Sequence, residues 1–184
     1  DYKVLEINGN RQFEYSNLYF DTPENICLND HISERKNKYK VRIRLYVNSN
    51  ICFLEIKKKN VHGRTMKMRI QRTSEKWDSP LTDFEKRFLS ERVPFASELS
   101  PVLYISYSRF TLAQLNRCER ITLDTNITYT TIQGEISKPL HGLVVVELKQ
   151  AETNRRSPLF VFLRSMPERT ILLMFSSFRC NNLR

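Results

Sequence analysis

The sequence predicts an α+β fold in which an antiparallel β-barrel is flanked by helices. Several stretches alternate Lys or Arg with aliphatic residues at a period of two, as in residues 40–45 (KVRIRL). Successive side chains of a strand point to opposite faces, so each such stretch has one cationic and one apolar face. Strand patterns outnumber helical patterns. A barrel can enclose a polar interior while its aliphatic side packs against external helices.

Nine stretches are predicted as strands from their alternation and their β-branched and aromatic residues. They are residues 2–7, 12–21, 38–47, 51–59, 64–72, 102–112, 120–131, 143–150 and, as a last strand or turn, part of 171–184. Asn8-Gly9 is a strong hairpin signal between the first two. Short turns join the third, fourth and fifth, which predicts an antiparallel meander.

Three helices are predicted. A short helix within 23–31 has Thr22 as its cap and a proline at its first position. A helix over 81–92 has one apolar stripe that includes Phe84. A third, over 157–166, again has a proline in its first turn.

Composition narrows the class of partner. Lys and Arg number 30 against 20 Asp and Glu, a formal net charge of +10. This excess implies an acidic partner, which could be nucleic acid, an anionic membrane surface or a phosphorylated small molecule. The length and the lack of a linker predict one domain over 1–184. No apolar run approaches the roughly 18 residues that span a bilayer, and no signal peptide is present.

Four cysteines are present without a CxxC pair, and the three histidines are far apart. This spacing disfavours a zinc site and favours four reduced thiols in a cytoplasmic protein. The chain begins at Asp1 and enters strand-like sequence almost at once. We therefore expect an N-terminal piece to be missing.

One face of the predicted sheet gathers charged side chains. Its members are Arg42, Arg44, Glu55, Lys57, Lys59, Lys67, Arg69, Arg109, Arg120, Asp124, Glu147 and Lys149. A solvated outer face is the alternative interpretation. However, like charges opposite one another destabilise a sheet, and two unit charges ~4 Å apart cost on the order of 4 kcal/mol at an effective dielectric of ~20. Polyanionic phosphate is therefore the leading ligand.

Carboxylates among these cations suit a hard divalent cation that bridges protein and phosphate, which predicts Mg²⁺ or Mn²⁺ as cofactor. Glu147 is the strongest candidate ligand, with a salt bridge as the alternative. For Glu55 a metal-binding role and a salt bridge are equally favoured. Asp124 is predicted to orient Arg120 or a neighbour.

Several other classes of function are disfavoured. The chain has no GxxxxGK[ST] or GxGxxG segment, which excludes a P-loop or Rossmann nucleotide site. It has no HExxH or GxSxG motif for hydrolysis. Most aromatics near the basic strands fall on or beside apolar positions, so no nucleic acid is expected as a partner.

Seven segments in order resemble one family. They are NLYFDTPE (17–24), KYKVRIRLY (38–46), CFLEIKKK (52–59), RTMKMRI (64–70), SRFTL (108–112), RITLDTNI (120–127) and LVVVELKQ (143–150). Together they resemble the vacuolar transporter chaperone (VTC) domain, a branch of the triphosphate tunnel metalloenzymes. The resemblance implies a tunnel-like antiparallel barrel with flanking helices. Characterised eukaryotic members make inorganic polyphosphate from ATP, and relatives hydrolyse triphosphate or cyclise ATP.

The resemblance also implies roles for single residues. Those implied to bind phosphate are Arg42, Arg44, Lys57, Lys67, Arg109 and Arg120. Glu147 matches the metal-binding glutamate, and Glu55 and Lys149 stand beside such positions. The family's first strand, with a motif like RYERKY, precedes the point where this chain starts, so the barrel is expected to lack it. Arg179 stands near the place of a tunnel lysine.

These observations predict a metal-dependent phosphotransferase that acts on ATP, triphosphate or inorganic polyphosphate. The predicted catalytic residues are Arg44, Lys57 and Glu147. The predicted substrate-binding residues are Arg42, Arg44, Lys57, Lys67, Arg69, Arg109, Arg120, Lys149 and Arg179. An inorganic triphosphatase and a non-catalytic module for polyphosphate or inositol phosphate are the alternatives, and a membrane partner is compatible with all three.

Overall fold

The computed structural model describes residues 2–114, 118–134, 142–151, 154–165 and 171–177, the last segment by its backbone alone. The strands are β1 (Lys3–Val4), β2 (Gln12–Asp21), β3 (Lys38–Tyr46), β4 (Ile51–Lys59), β5 (Thr65–Arg72), β6 (Ser100–Gln114), β7 (Glu119–Thr131), β8 (Val144–Gln150) and β9 (Ile171–Ser177). The helices are α1 (Ile26–Ile32), α2 (Asp83–Ser90) and α3 (Pro158–Ser165), with 3₁₀ turns at Val47–Ser49 and Ala96–Glu98.

The chain forms two compact units. The central unit contains Tyr15–Ser106 and Tyr129–Ser137, and the terminal unit contains the described parts of Asp1–Glu14, Tyr107–Thr128 and Lys138–Arg184. Strands β2, β6 and β7 therefore contribute residues to both units. The single domain that the sequence predicts stays a prediction.

The central unit is built on the antiparallel order β5-β4-β3-β2. This order confirms the predicted meander, in which Val41 pairs with Ile56 and Ile56 with Met68. The apolar side of these strands forms the core with α2, where Phe88 and Leu89 are buried. The sequence of α2 explains its start, because Thr82 and Glu85 form a reciprocal capping box.

Two details of the predicted helices are wrong. Helix α1 begins at Ile26, not at the proline of residue 23. The carboxylate of the buried Asp21 accepts hydrogen bonds from the backbone N–H groups of Cys27 and Leu28, at 2.8 and 3.0 Å, and so satisfies donors that the first turn leaves unpaired. Phe84 is 68% exposed and does not belong to the buried stripe of α2.

The terminal unit has β7 and β8 antiparallel, β9 parallel to β8, and the two-residue β1 beside β6. The parallel β8–β9 pair was not anticipated. Ile121, Val146 and Leu148 pack against Phe160 and Leu163 of α3. Ser157 caps this helix by accepting a hydrogen bond from the backbone N–H of residue 160, as its predicted start requires.

The predicted α+β class is confirmed, with a mostly antiparallel sheet and three described helices. Within the described residues, β5 pairs only with β4, and β9 pairs only with β8. The Asn8-Gly9 turn is confirmed: both residues have positive φ, 51° and 77°, and Ile7 and Asn10 exchange two backbone hydrogen bonds across it. The hairpin predicted between the first two strands is wrong, because among the described strands β1 pairs with β6 and not with β2.

No helix in the described part of the chain is long and apolar enough to cross a membrane. Cys27 and Cys52 are buried free thiols. Cys118 is disulfide-bonded, so the prediction of four reduced thiols is wrong at this position. The pKa of Cys27 is raised to about 12 and that of Cys52 to about 11, in both cases chiefly by burial.

Candidate functional site

In the central unit, strands β3, β4 and β5 place most of their cations on one side. The register gives this side the residues Lys38, Lys40, Arg42, Arg44, Lys57, Lys59, Lys67 and Arg69, with Glu55 as the carboxylate among them. We call this set the cationic face. It contains every predicted site residue of these strands, together with Lys38 and Lys40, which the predicted site set omitted.

Three lysines form one row across the cationic face. Lys40 pairs directly with Lys57, and Lys57 with Lys67, on three neighbouring strands. Directly opposed side chains on antiparallel strands lie about 4.5–5.5 Å apart at their Cβ atoms, where like charges destabilise the sheet. The carboxylate nearest to this row is that of Glu55 in the next row, which pairs with Lys67. The row therefore favours an anionic ligand of high charge density.

The next row contains a buried ion pair. Glu55 is 2% exposed. Its Oε2 accepts from Nε and Nη2 of Arg42, at 3.0 and 2.8 Å, and its Oε1 lies 2.6 Å from Nζ of Lys67. Although burial raises the pKa of Glu55, the charges of Arg42 and Lys67 lower it overall. Both carboxylate oxygens thus face cations, which is the salt-bridge alternative for Glu55.

Two residues of β2 complete this face and were missed by the sequence analysis. Asn17 Oδ1 accepts from Nε of the buried Arg44 at 2.7 Å, and Tyr19 Oη accepts from Nη1 of Arg42 at 3.1 Å. Burial raises the pKa of Tyr19, but nearby cations, Arg42 first, lower it overall. The alternating pattern of residues 17–20 (NLYF) is the signal that could have placed them here.

Aromatic rings also lie on the cationic face, contrary to the sequence prediction. Tyr15 pairs with Tyr46, and Phe53 pairs with Arg44. The Arg44 guanidinium lies 5.2 Å from the Tyr15 ring centroid, and that of Arg69 lies 4.3 Å from the Phe53 centroid. The argument against nucleic acid that relied on aromatics staying at apolar positions is therefore wrong for these side chains.

The terminal unit has its own charged face on β6, β7 and β8. We call it the balanced face, and it consists of Arg109, Arg120, Asp124, Glu147 and Lys149. Arg109 donates from Nε and Nη2 to both oxygens of Asp124, at 2.6 and 2.7 Å. Asp124 was predicted to orient Arg120 or a neighbour, and the arginine that it orients is the neighbour, Arg109. Arg120 pairs in register with Lys149.

Glu147 lies on this balanced face. Its Oε2 is 2.7 Å from Nζ of Lys149. The pKa of Lys149 is lowered, first by burial and then by Arg120 and Arg109, although Glu147 raises it. A carboxylate beside such a lysine can exchange this partner for a bound cation.

The residues around Glu147 provide a test of whether a divalent cation fits. Thr122 pairs directly with Glu147, and its Oγ1 is buried without a hydrogen-bond partner among the described residues. A hydroxyl oxygen that makes no hydrogen bond and lies beside a carboxylate is a suitable ligand for Mg²⁺ or Mn²⁺. The described residues contain no group of three or more His, Cys, Asp or Glu side chains for a metal. The remaining ligands would therefore come from phosphate oxygens or water, as is usual for Mg²⁺.

The predicted site residues thus divide between the units. Arg42, Arg44, Glu55, Lys57, Lys67 and Arg69 lie together in the central unit, and Arg109, Arg120, Glu147 and Lys149 in the terminal unit. Arg179 lies outside the described residues. The common lumen that the sequence predicts stays a prediction.

The ordered strands and their charged faces can now be compared with known proteins. A family model described as the VTC domain matches residues 1–178. The chain belongs to the VTC domain family. Both charged faces lie within the matched part of this VTC domain. No curated protein matches the chain.

Solved structures with likeness to this VTC domain have low sequence identity. A candidate adenylyl cyclase from Hippeastrum, described as having a dominant triphosphatase activity, is 14% identical; the match covers 62% of this chain and 60% of that one, at a TM-score of 0.41. A candidate adenylate cyclase from Bacillus halodurans is 13% identical, covering 72% of each chain at 0.45. A Pyrococcus horikoshii protein is 16% identical, covering 68% of this chain and 60% of that one at 0.38.

Proposed function

We propose that this VTC domain is a metal-dependent phosphotransferase that acts on ATP or inorganic polyphosphate. The observation that carries the proposal is the row of Lys40, Lys57 and Lys67 on three neighbouring strands. A condensed phosphate offers several negative charges in a line and would offset the repulsion within this row. Membership of the VTC domain family supports the same class of ligand.

The cationic face supplies binding and charge stabilisation. Arg44 is held by Asn17 and Arg42 by Glu55, so each guanidinium has a fixed orientation before a ligand arrives. Arg42 lies in the row next to the lysines, where a preorganised cation can stabilise the charge that develops during phosphoryl transfer without reorganising at that moment. Lys57 is exposed, and its ammonium group is a compact charge of the kind that contacts phosphoryl oxygens.

The balanced face supplies the proposed metal site. Glu147 and the hydroxyl of Thr122 would hold Mn²⁺ or Mg²⁺. When bound, the ion would neutralise phosphate charge as a Lewis acid. Arg120 and Lys149 oppose each other in register on this face, which favours an anion beside them.

A pair of adjacent lysines tests the binding part of the proposal. Lys57 lies on the cationic face, whereas Lys58 pairs with Tyr39 on the opposite side of β4. We expect Lys57→Met to weaken triphosphate binding about tenfold in isothermal titration calorimetry, because one charge-assisted contact is lost. Lys58→Met is the matched control and should bind like the parent. Equal affinities in both variants would remove the cationic face from phosphate binding.

Product analysis tests the reaction. The full chain is incubated with ATP and Mn²⁺, and the products are separated on a gel. Long phosphate chains would support polymerase activity, and free phosphate would support the triphosphatase alternative. Triphosphate binding without any turnover would contradict an enzyme and leave the non-catalytic binding module.

A further inference from the structure

The cationic face changes character along its strands. At one end lies the row of Lys40, Lys57 and Lys67. The middle row contains the ion pair of Arg42 and Glu55. The opposite end is aromatic, which a face that binds only inorganic phosphate does not require.

The aromatic end is one connected group of rings, Tyr15, Tyr46 and Phe53. The ring centroids of Tyr15 and Tyr46 are 5.1 Å apart, and those of Tyr46 and Phe53 are 6.1 Å apart, both edge to face. All three rings are half-buried, so part of each remains exposed. Arg44 and Arg69 lie over two of them. Aromatic and guanidinium planes are the surfaces on which nucleobases stack.

We propose that Tyr15, Tyr46 and Phe53 form a nucleobase subsite, so that a nucleoside triphosphate lies along the face with its terminal phosphate at the lysine row. This inference rests on the proposed function. Phe53 and Lys57 are four residues apart on β4, about 13 Å along the strand at about 3.3 Å per residue. This separation is comparable with the extended length of a nucleotide from its base to its terminal phosphate. The change from lysines at one end of the face to aromatic rings at the other therefore fixes the orientation in which a nucleotide would bind.

Simple packing is the rival explanation for the ring cluster, since edge-to-face pairs stabilise a hairpin end. Packing alone predicts that loss of a ring changes stability, and ligand binding only indirectly. The base subsite predicts a specific change in the ratio of two affinities. Inorganic triphosphate has the phosphates without the base, and it is therefore the matched probe.

The experiment measures binding of ATP and of inorganic triphosphate to the full chain, the Phe53→Leu variant and the Tyr46→Leu variant. We expect each variant to bind ATP about tenfold more weakly, since stacking on one ring is worth about that much, while triphosphate affinity changes less than about twofold. Lys57→Met should instead weaken both ligands. CTP and GTP should behave like ATP, because every base has a stacking face. Circular dichroism shows whether each variant is folded, and the two ring positions test the subsite independently.

Three outcomes would overturn the inference. The two affinities could fall by the same factor in the ring variants, or neither could fall. A single-stranded oligonucleotide could displace ATP more effectively than triphosphate does, which would assign the rings to nucleic acid. These outcomes differ from failure of the proposed function, in which the parent chain binds neither ATP nor triphosphate.

Discussion

The two charged faces of this VTC domain differ in how their charges are compensated. The cationic face contains eight Lys and Arg side chains with Glu55 between them, and three of its lysines oppose one another in register. The balanced face contains Arg109, Arg120 and Lys149 together with Asp124 and Glu147. A face with an excess of cations is suited to bind an anion. A face with nearly equal charges is suited to orient groups and to hold a cation.

The two carboxylates predicted as metal ligands show the same contrast. Glu55 is buried, and both of its oxygens face cations. Glu147 has 19% of its side chain exposed. It lies opposite Thr122, whose hydroxyl oxygen makes no hydrogen bond within the described residues. Removing Glu55 from its ion pairs would leave buried charge uncompensated, which is costly. We therefore assign the metal to Glu147 in the proposed mechanism and a structural role to Glu55.

The largest expected effect is on turnover in the Glu147→Gln variant. Loss of the carboxylate should lower metal-dependent turnover of ATP about 100-fold or more, because a bound metal contributes several kcal/mol of charge stabilisation. Triphosphate binding measured without metal should be retained, since the cationic face is unchanged. Turnover equal to that of the parent chain would show that Glu147 has no part in the reaction.

The second effect is on stability, in the Glu55→Gln variant. We expect the free energy of unfolding to fall by about 3 kcal/mol, because Arg42 and Lys67 lose their counter-charge within a face that already repels itself. Urea unfolding measures this change. Triphosphate should recover part of it by supplying negative charge to the folded state.

Glu147→Gln is the matched control for this stability measurement. The Glu147 side chain is 19% exposed against 2% for Glu55, so the loss of its ion pair with Lys149 should cost clearly less than the loss of Glu55. A similar loss of stability in the two variants would contradict the distinction between the faces.

Alternation of residue types explains why so much of the fold could be predicted. Strands β2 and β4 begin and end at the predicted residues, and all cations predicted for β3 to β5 share one face. Alternation fixes which residues of one strand share a side. It does not fix which side of a distant strand joins them.

The features that were missed depend on such non-local pairing. Tyr15 and Tyr19 reach the cationic face because β2 pairs with β3 in one register, and the segment between these strands contains α1. The start of α1 depends on the carboxylate of Asp21, which the sequence did not reveal as a cap. The pairing of Lys67 with Glu55 also required the register of β4 and β5.

A third effect concerns the free energy of unfolding at acidic pH, to which Glu55 of the central unit contributes. The pKa of Glu55 is lowered from its ordinary value of 4.5. The unfolded chain therefore binds this proton first as the pH falls. The stabilisation by Glu55 is fully present above pH 4.5 and is lost as the pH falls through the folded-state pKa. We expect the difference in unfolding free energy between the parent chain and Glu55→Gln to shrink below pH 4.5, measured by urea unfolding. A difference that is constant with pH would contradict the ion pair.

The smallest expected effect is on the free energy of unfolding at alkaline pH, and it concerns the terminal unit. Burial lowers the pKa of Lys149 from its ordinary value of 10.5, and Arg120 and Arg109 lower it further, although Glu147 opposes them. Between the folded-state pKa and 10.5 the unfolded chain binds more protons, so this group makes stability rise with pH in that window. Lys149→Met should remove this contribution, whereas Lys58→Met, whose lysine belongs to the central unit, should keep it. Comparison of the two unfolding curves between neutral pH and pH 10 measures the difference. Identical curves would show that the charge of Lys149 is as well compensated as a surface charge, and the balanced face would then offer no excess attraction for a phosphate.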